Sequence, residues 1–139
     1  MQFSLNKPVF LYAEDDFDDF ETLKEALMHL SDNYEIVHAK NGVEVQEYLN
    51  DAVELPGIIV LDLNMPVMDG KETLQWLKNE ERYDKIPTMI FTTSSREEDV
   101  KLCQSHSCTF FRKPTLYRDL LHIVQMMIQM CEENRVKNV

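Results

Sequence analysis

The stretch VLDLNMPVMDG (residues 60–70) closes the apolar run GIIVLDL by placing the carboxylate of Asp62 inside it, then turns into a Met-Pro-Val-Met-Asp-Gly loop. An ionised carboxylate is costly to desolvate unless something polar meets it. The pattern reads as a strand whose carboxyl end opens onto a site, and the rest of the chain must supply the partner.

Around that run, GIIVL (57–61), four others have the same form: VFLYA (9–13), EIVHA (35–39), TMIFT (88–92) and TFFRK (109–113). Each is bounded by polar or turn residues and reads as a strand. The segments between them have helical spacing. The first places Phe17, Phe20, Leu23, Leu27 and Leu30 on one core-facing stripe, and Asn41-Gly42 and Met68-Asp69-Gly70 are turn signals before further helices. The last helix, expected from about Thr115 to about Glu133, carries Leu116, Leu120, Ile123, Met127 and Cys131, widened by Val124 and Ile128. That stripe is mostly core, with Met126, Met127 and Met130 also suited to an adaptable partner surface. Five alternations of strand and helix predict a doubly wound α/β fold, a five-stranded parallel sheet covered by helices on both faces.

A chain of 139 residues suits one domain. Only NRVKNV follows the last helix, so a single domain over 1–139 is expected, with its core at about 8–133 and no output domain. Fourteen Lys+Arg against 25 Asp+Glu leave a net charge of -11, which disfavours direct binding to nucleic acid or anionic lipid. The opening MQFSLNKPVF lacks the apolar centre of a signal peptide and no run is long enough for membrane insertion, so a cytoplasmic location is expected. Cys103, Cys108 and Cys131 are an odd number without a CxxC pair, and reduced thiols are expected. Cys103, His106 and Cys108 are too few soft ligands for a zinc site, and the segment reads better as a helix end followed by a strand start.

The polar residues at the carboxyl ends of the strands carry the chemistry, because open parallel sheets build their sites there. Glu14, Asp15 and Asp16 follow the first strand, Asp62 the third, Thr92 ends the fourth, and Lys113-Pro114 follow the fifth. Taken singly each has an ordinary explanation: a solvated helix N-terminus for the acids, a loop carboxylate, a turn hydroxyl, a surface charge. Together they describe one crevice. Several carboxylates there repel one another unless a cation holds them, and oxygen-only ligands match Mg²⁺. Magnesium, a lysine ammonium and a threonine hydroxyl around an aspartate are what phosphoryl transfer to Asp62 needs: Asp62 as nucleophile, Thr92 and Lys113 on the phosphoryl oxygens.

LYAEDD, VLDLNMPVMDG, IPTMIFTTSS and FFRKP, in this order and at these separations, resemble the receiver domain of two-component response regulators over almost the whole chain. The resemblance implies a flavodoxin-like fold with strand order 2-1-3-4-5. It implies a stand-alone phosphoacceptor, a signalling module rather than a metabolic enzyme, in which Asp62 receives a phosphoryl group from a histidine kinase. Glu14, Asp15 and the backbone carbonyl of Asn64 join Asp62 as Mg²⁺ ligands, with Asp16 just outside the pair. Thr92 resembles the switch hydroxyl, Lys113 the family's lysine, whose bond to Pro114 is often cis in relatives, and Phe110 the switch aromatic, without the hydroxyl of the commoner tyrosine. The signal then passes to an unidentified protein through the surface of helix four, strand five and helix five, with Phe110, Arg112 and Tyr117 reporting the switch.

Some positions depart from the family's pattern. Thr93 stands where relatives often have alanine and narrows the approach of water and small phosphodonors; Ser94 is neither acidic nor an amide, and SHSCTFF lacks the glycine often found before strand five. A phosphorelay intermediate, handing the group to a histidine phosphotransfer protein, fits the same residues, as does control of a motor. A haloacid dehalogenase-type phosphatase needs a second aspartate where Asn64 stands, and Asn64 cannot shuttle a proton. A flavodoxin-like nucleotide binder needs a Gly-rich loop after the first strand, which is missing. His29, His38, His106 and His122 form no acid–base arrangement legible in the sequence.

Overall fold

In the computed structural model, which describes residues 6–94 and 96–137, the five apolar runs form parallel strands: β1 Val9–Ala13, β2 Glu35–Ala39, β3 Ile58–Leu61, β4 Thr88–Thr92 and β5 Thr109–Arg112. The helices between and after them are α1 Phe17–Leu30, α2 Gly42–Asp51, α3 Gly70–Asn79, α4 Glu97–Ser105 and α5 Tyr117–Lys137. The strands lie in the order β2-β1-β3-β4-β5, as expected. Because successive strand residues point to opposite faces, β1 sends Phe10 and Tyr12 into one core and Leu11 and Ala13 into another. The first core is closed by α1 and α5 through Leu23, Leu27, Val124 and Met127. The second is closed by Val45 and Leu49 of α2, Leu74 and Leu77 of α3, and Cys103 of α4. Among the described residues no helix is long and apolar enough to cross a membrane.

Three helices begin at the carboxyl edge of the sheet with side-chain caps: Asp16 accepts from the Asp19 N–H, Asn41 from Glu44, and Asp69 from Glu72. At α3 the Glu72 carboxylate also accepts from the Asp69 N–H, completing a capping box. Each cap is worth about 1 kcal/mol, and those of α1 and α3 fix where the chain leaves the site. Gly70 lets α3 start close to it: a Cβ there would lie 2.2 Å from the backbone oxygen of Asp62.

Several expectations need correction. Phe17 is 62% exposed, because it is the first residue of α1 and stands beyond the strand ends, where its ring lies tilted toward that of His38 (centroids 6.4 Å apart). Leu116 is 49% exposed since α5 starts one residue later, and α5 continues to Lys137, past Glu133. Of the three methionines, Met127 is core, Met130 half-buried and Met126 exposed. β3 starts at Ile58 and β5 ends at Arg112, one residue inside each expected limit. The Lys113–Pro114 bond is trans.

The cysteines also differ from expectation. Cys103 and Cys108 form a disulfide, and Cys131 is free and buried. Backbone geometry accounts for the pairing. After α4 the Cys108 N–H donates to the Cys103 carbonyl (3.0 Å) and the Ser107 N–H to that of Gln104 (3.1 Å), with Ser107 left-handed at φ 55°. This is the Schellman pattern, in which glycine usually takes the left-handed place. It brings the two cysteine Cα atoms to 5.2 Å, within disulfide range.

Val67, in the β3–α3 loop, is the other non-glycine with positive φ (76°) among the described residues. It is 83% exposed, so its side chain contributes little packing while its branched Cβ strains the left-handed backbone. Val67→Gly is expected to relieve that strain, offset in part by the greater entropy of glycine in the unfolded chain. The net outcome, measured by urea unfolding, is a gain of up to about 1 kcal/mol.

Candidate functional site

Each central residue stands one step past its strand and is still tied to the neighbouring strand. The Glu14 N–H donates to the Ala39 carbonyl (2.8 Å), Asp62 to Ala13 (3.0 Å) and Lys113 to Thr92 (2.8 Å). The sheet's hydrogen bonding thus carries these residues to a common rim. Glu14 is 1% exposed, Asp62 5% and Thr92 0%, while Asp15, Asp16 and Asn64 are exposed.

Carboxylate oxygens of Glu14, Asp15 and Asp62 all lie within 4.8 Å of one another. Lys113 is the ammonium shared by Glu14, Asp62 and the α1 residue Asp19: Nζ bonds Glu14 Oε1, lies 2.8 Å from Asp19 Oδ2 and stands 3.6 Å from Asp62 Oδ2. Glu14 also accepts from the Tyr12 hydroxyl (3.1 Å) and the Asp16 N–H (3.2 Å). His38 Nε2 lies 2.6 Å from the Glu14 carbonyl oxygen. Asp62 Oδ1 is buried without a hydrogen-bond partner.

Burial dominates the electrostatics. It pushes the Glu14 carboxyl up to about 7; the hydrogen bond from Lys113 opposes that rise and the Asp62 charge adds to it. Burial, then Glu14, likewise raises the Tyr12 hydroxyl. At Lys113 burial works against the charged form, yet Asp19, Glu14 and Asp62 together raise its pKa above the ordinary value.

An orphaned buried carboxylate oxygen amid hard oxygen donors fits a small divalent cation. A cation held by Glu14 would need that carboxylate ionised, which would set a pH dependence. Because the folded value of about 7 lies above the ordinary 4.5, folding favours protonated Glu14. Its contribution to stability is complete below the ordinary value and is lost as pH rises through the folded one. A cation reverses that loss, so the rise in Tm on adding Mg²⁺ is expected to be larger at about pH 8 than at about pH 6. Thermal unfolding with and without Mg²⁺ at the two pH values checks it.

Beside the carboxylates, Thr92 Oγ1 accepts from the Ser94 N–H (3.3 Å), and Ser94 Oγ donates to Asp99 Oδ2 (3.1 Å). Asp99 is a buried acid in the first turn of α4, paired with Lys71 Nζ of α3 at 2.6 Å and with Arg96 Nε at 3.6 Å. Burial raises its pKa, but the bonds from Lys71 and Ser94 outweigh that and hold it below the ordinary range. A polar chain therefore runs from the end of β4 to the start of α4. Phe110 lies apart from the carboxylates, half-buried in the core beneath α4, and Arg112 and Tyr117 are exposed.

The structure thus brings Glu14, Asp15, Asp62, Lys113 and Thr92 to one rim, with Asn64 two residues along an exposed loop. Asp19 and Asp99 escaped sequence reasoning. The signal for Asp19 was an acid at the third helical position after Asp16, which reads as an ordinary complement to the helix dipole. Asp99 sits in an acidic run, REED, that reads as a solvated face.

Comparison with known proteins gives the family. Residues 10–125 match the family model of the response regulator receiver domain. Response regulator Rcp1 of Synechocystis is 30% identical over 123 residues, covering 84% of each chain. Among solved structures, the phosphorylated cyanobacterial phytochrome response regulator RcpA is 27% identical with a TM-score of 0.79, covering 87% of this chain and 91% of that one. The Mn²⁺-bound form of Rcp1 is 28% identical with a TM-score of 0.77, covering 86% and 91%. By fold, rim chemistry and sequence, the chain belongs to the response regulator receiver domain family.

Proposed function

We propose that this receiver accepts a phosphoryl group on Asp62 from a histidine kinase and signals to a partner protein through the α4–β5–α5 surface. The observation that carries this reading is the buried, unpartnered Asp62 Oδ1, beside two further carboxylates and 3.6 Å from the Lys113 ammonium. The relatives support it: one solved neighbour is a phosphorylated response regulator and another a Mn²⁺-bound one.

In the proposed reaction an Asp62 oxygen attacks phosphorus, an O–P bond forms, and the N–P bond of the donor phosphohistidine breaks with the electron pair leaving on the imidazole. Glu14, Asp15, Asp62 and the Asn64 carbonyl would hold Mg²⁺, which supplies positive charge for the phosphoryl oxygens. Lys113 neutralises a further oxygen and Thr92 donates its hydroxyl to another. Thr92 still accepts from Ser94, so its movement pulls on Ser94 and Asp99 at the start of α4, while Phe110 repacks beneath.

Incubation with Mg²⁺ and acetyl phosphate, or with a panel of phosphorylated histidine kinases should Thr93 block the small donor, followed by intact mass, tests the reading. One added phosphoryl mass that disappears when EDTA is present from the start is expected. No adduct from any donor overturns it.

A further inference from the structure

Lys113 is drawn outward as well as inward. Its Nζ lies 2.8 Å from Asp19 Oδ2 but 3.6 Å from Asp62 Oδ2, so the nearer of the two aspartates is the one on α1. Asp19 sits in the first turn of α1, where its N–H donates to the Asp16 cap at 3.1 Å and the helix dipole favours its charge. Its side chain is 45% exposed, against 13% for Lys113 and 8% for Asp62. The ammonium is therefore shared between two buried carboxylates and one at the mouth of the crevice.

We infer that Asp19 is a positioning residue that competes with the incoming phosphoryl group for Lys113 and so weakens the hold of the site on that group. This rests on the proposed phosphoacceptor reading. A phosphoryl group on Asp62 brings its own negative oxygens to the inner side of Lys113, and each must win the ammonium from Asp19. The competition is electrostatic, in a half-exposed setting where one pair is worth up to about 1 kcal/mol, or about fivefold in affinity. Asp19→Asn keeps the shape and helix position while removing the competing charge. Asp18→Asn removes an equal charge from the same turn; Asp18 is exposed and forms no ion pair with Lys113.

The test is titration of the full chain with beryllofluoride, a phosphoryl mimic, in saturating Mg²⁺, monitored by isothermal titration calorimetry, with Tm recorded for every variant. Asp19→Asn is expected to bind about fivefold more tightly than wild type, Asp18→Asn and Asp19→Glu within about twofold of it. In a Lys113→Ala background the gain from Asp19→Asn should vanish. Unchanged or weaker binding by Asp19→Asn, an equal gain from Asp18→Asn, or a gain that persists without Lys113 overturns the inference while leaving the phosphoacceptor reading intact. A wild type that binds no beryllofluoride overturns both.

Discussion

Asparagine at position 62 is expected to abolish phosphoryl transfer completely and to leave a folded protein that is more stable than wild type without metal. The first effect follows because an amide cannot form the acyl phosphate. The second follows from the environment. Asp62 Oδ1 is buried without a partner, and the Asp62 charge helps push Glu14 up. Removing that charge relieves repulsion, while Lys113 keeps Glu14 and Asp19 as partners. Replacing a poorly compensated buried charge by a neutral isostere is worth about 1 kcal/mol. Mg²⁺ should stabilise this variant less than wild type, because one ligand has lost its charge. Intact mass after phosphodonor treatment measures the first effect, and urea unfolding with EDTA and with Mg²⁺ the others. A phosphoryl adduct on Asp62→Asn would move the acceptor elsewhere.

Lys113→Ala is expected to act in the opposite sense. Lys113 is the ammonium that Glu14, Asp19 and Asp62 share, and its loss leaves Glu14 charged, buried and uncompensated. Removing one partner of a buried ion pair costs about 3 kcal/mol or more. The cost depends on pH, because Glu14 escapes it by taking up a proton. Its pKa, already about 7 with Lys113 present, rises further once that bond is gone. The destabilisation relative to wild type should therefore be largest above about pH 8 and small near pH 5. Urea unfolding at the two pH values checks this. In the variant that folds, phosphorylation should no longer engage a partner, because nothing draws the phosphoryl group toward β5.

The strand runs and the convergence of Glu14, Asp15, Asp62, Thr92 and Lys113 were legible because parallel strands buried on both faces read as continuous apolar runs and because parallel sheets build sites at strand ends, while the sheet order came with the family resemblance. What escaped depends on distances that spacing does not carry. Phe17 continues the helical stripe of Phe20, yet it projects past the sheet and finds no core. Asp19 reads as a dipole-complementing acid, and only the path of β5 brings Lys113 to it. Cys103 and Cys108 are five residues apart with no pairing motif; the left-handed Ser107 turns the chain so that they meet. Val67 shows no sequence sign that its backbone is left-handed.

The Cys103–Cys108 bridge has a mechanical consequence for the proposed switch. It rivets the last turn of α4 to Cys108, the residue just before β5, where the Schellman hydrogen bonds already hold the chain. Among the described residues, the opposite end of α4 is held by side chains, through Asp99 with Ser94, Lys71 and Arg96. The helix is thus a lever with its pivot beside β5 and its free arm beside Thr92. Under the proposed switch, a small pull at the site would swing the near end while the far end stays put, a tilt rather than a slide.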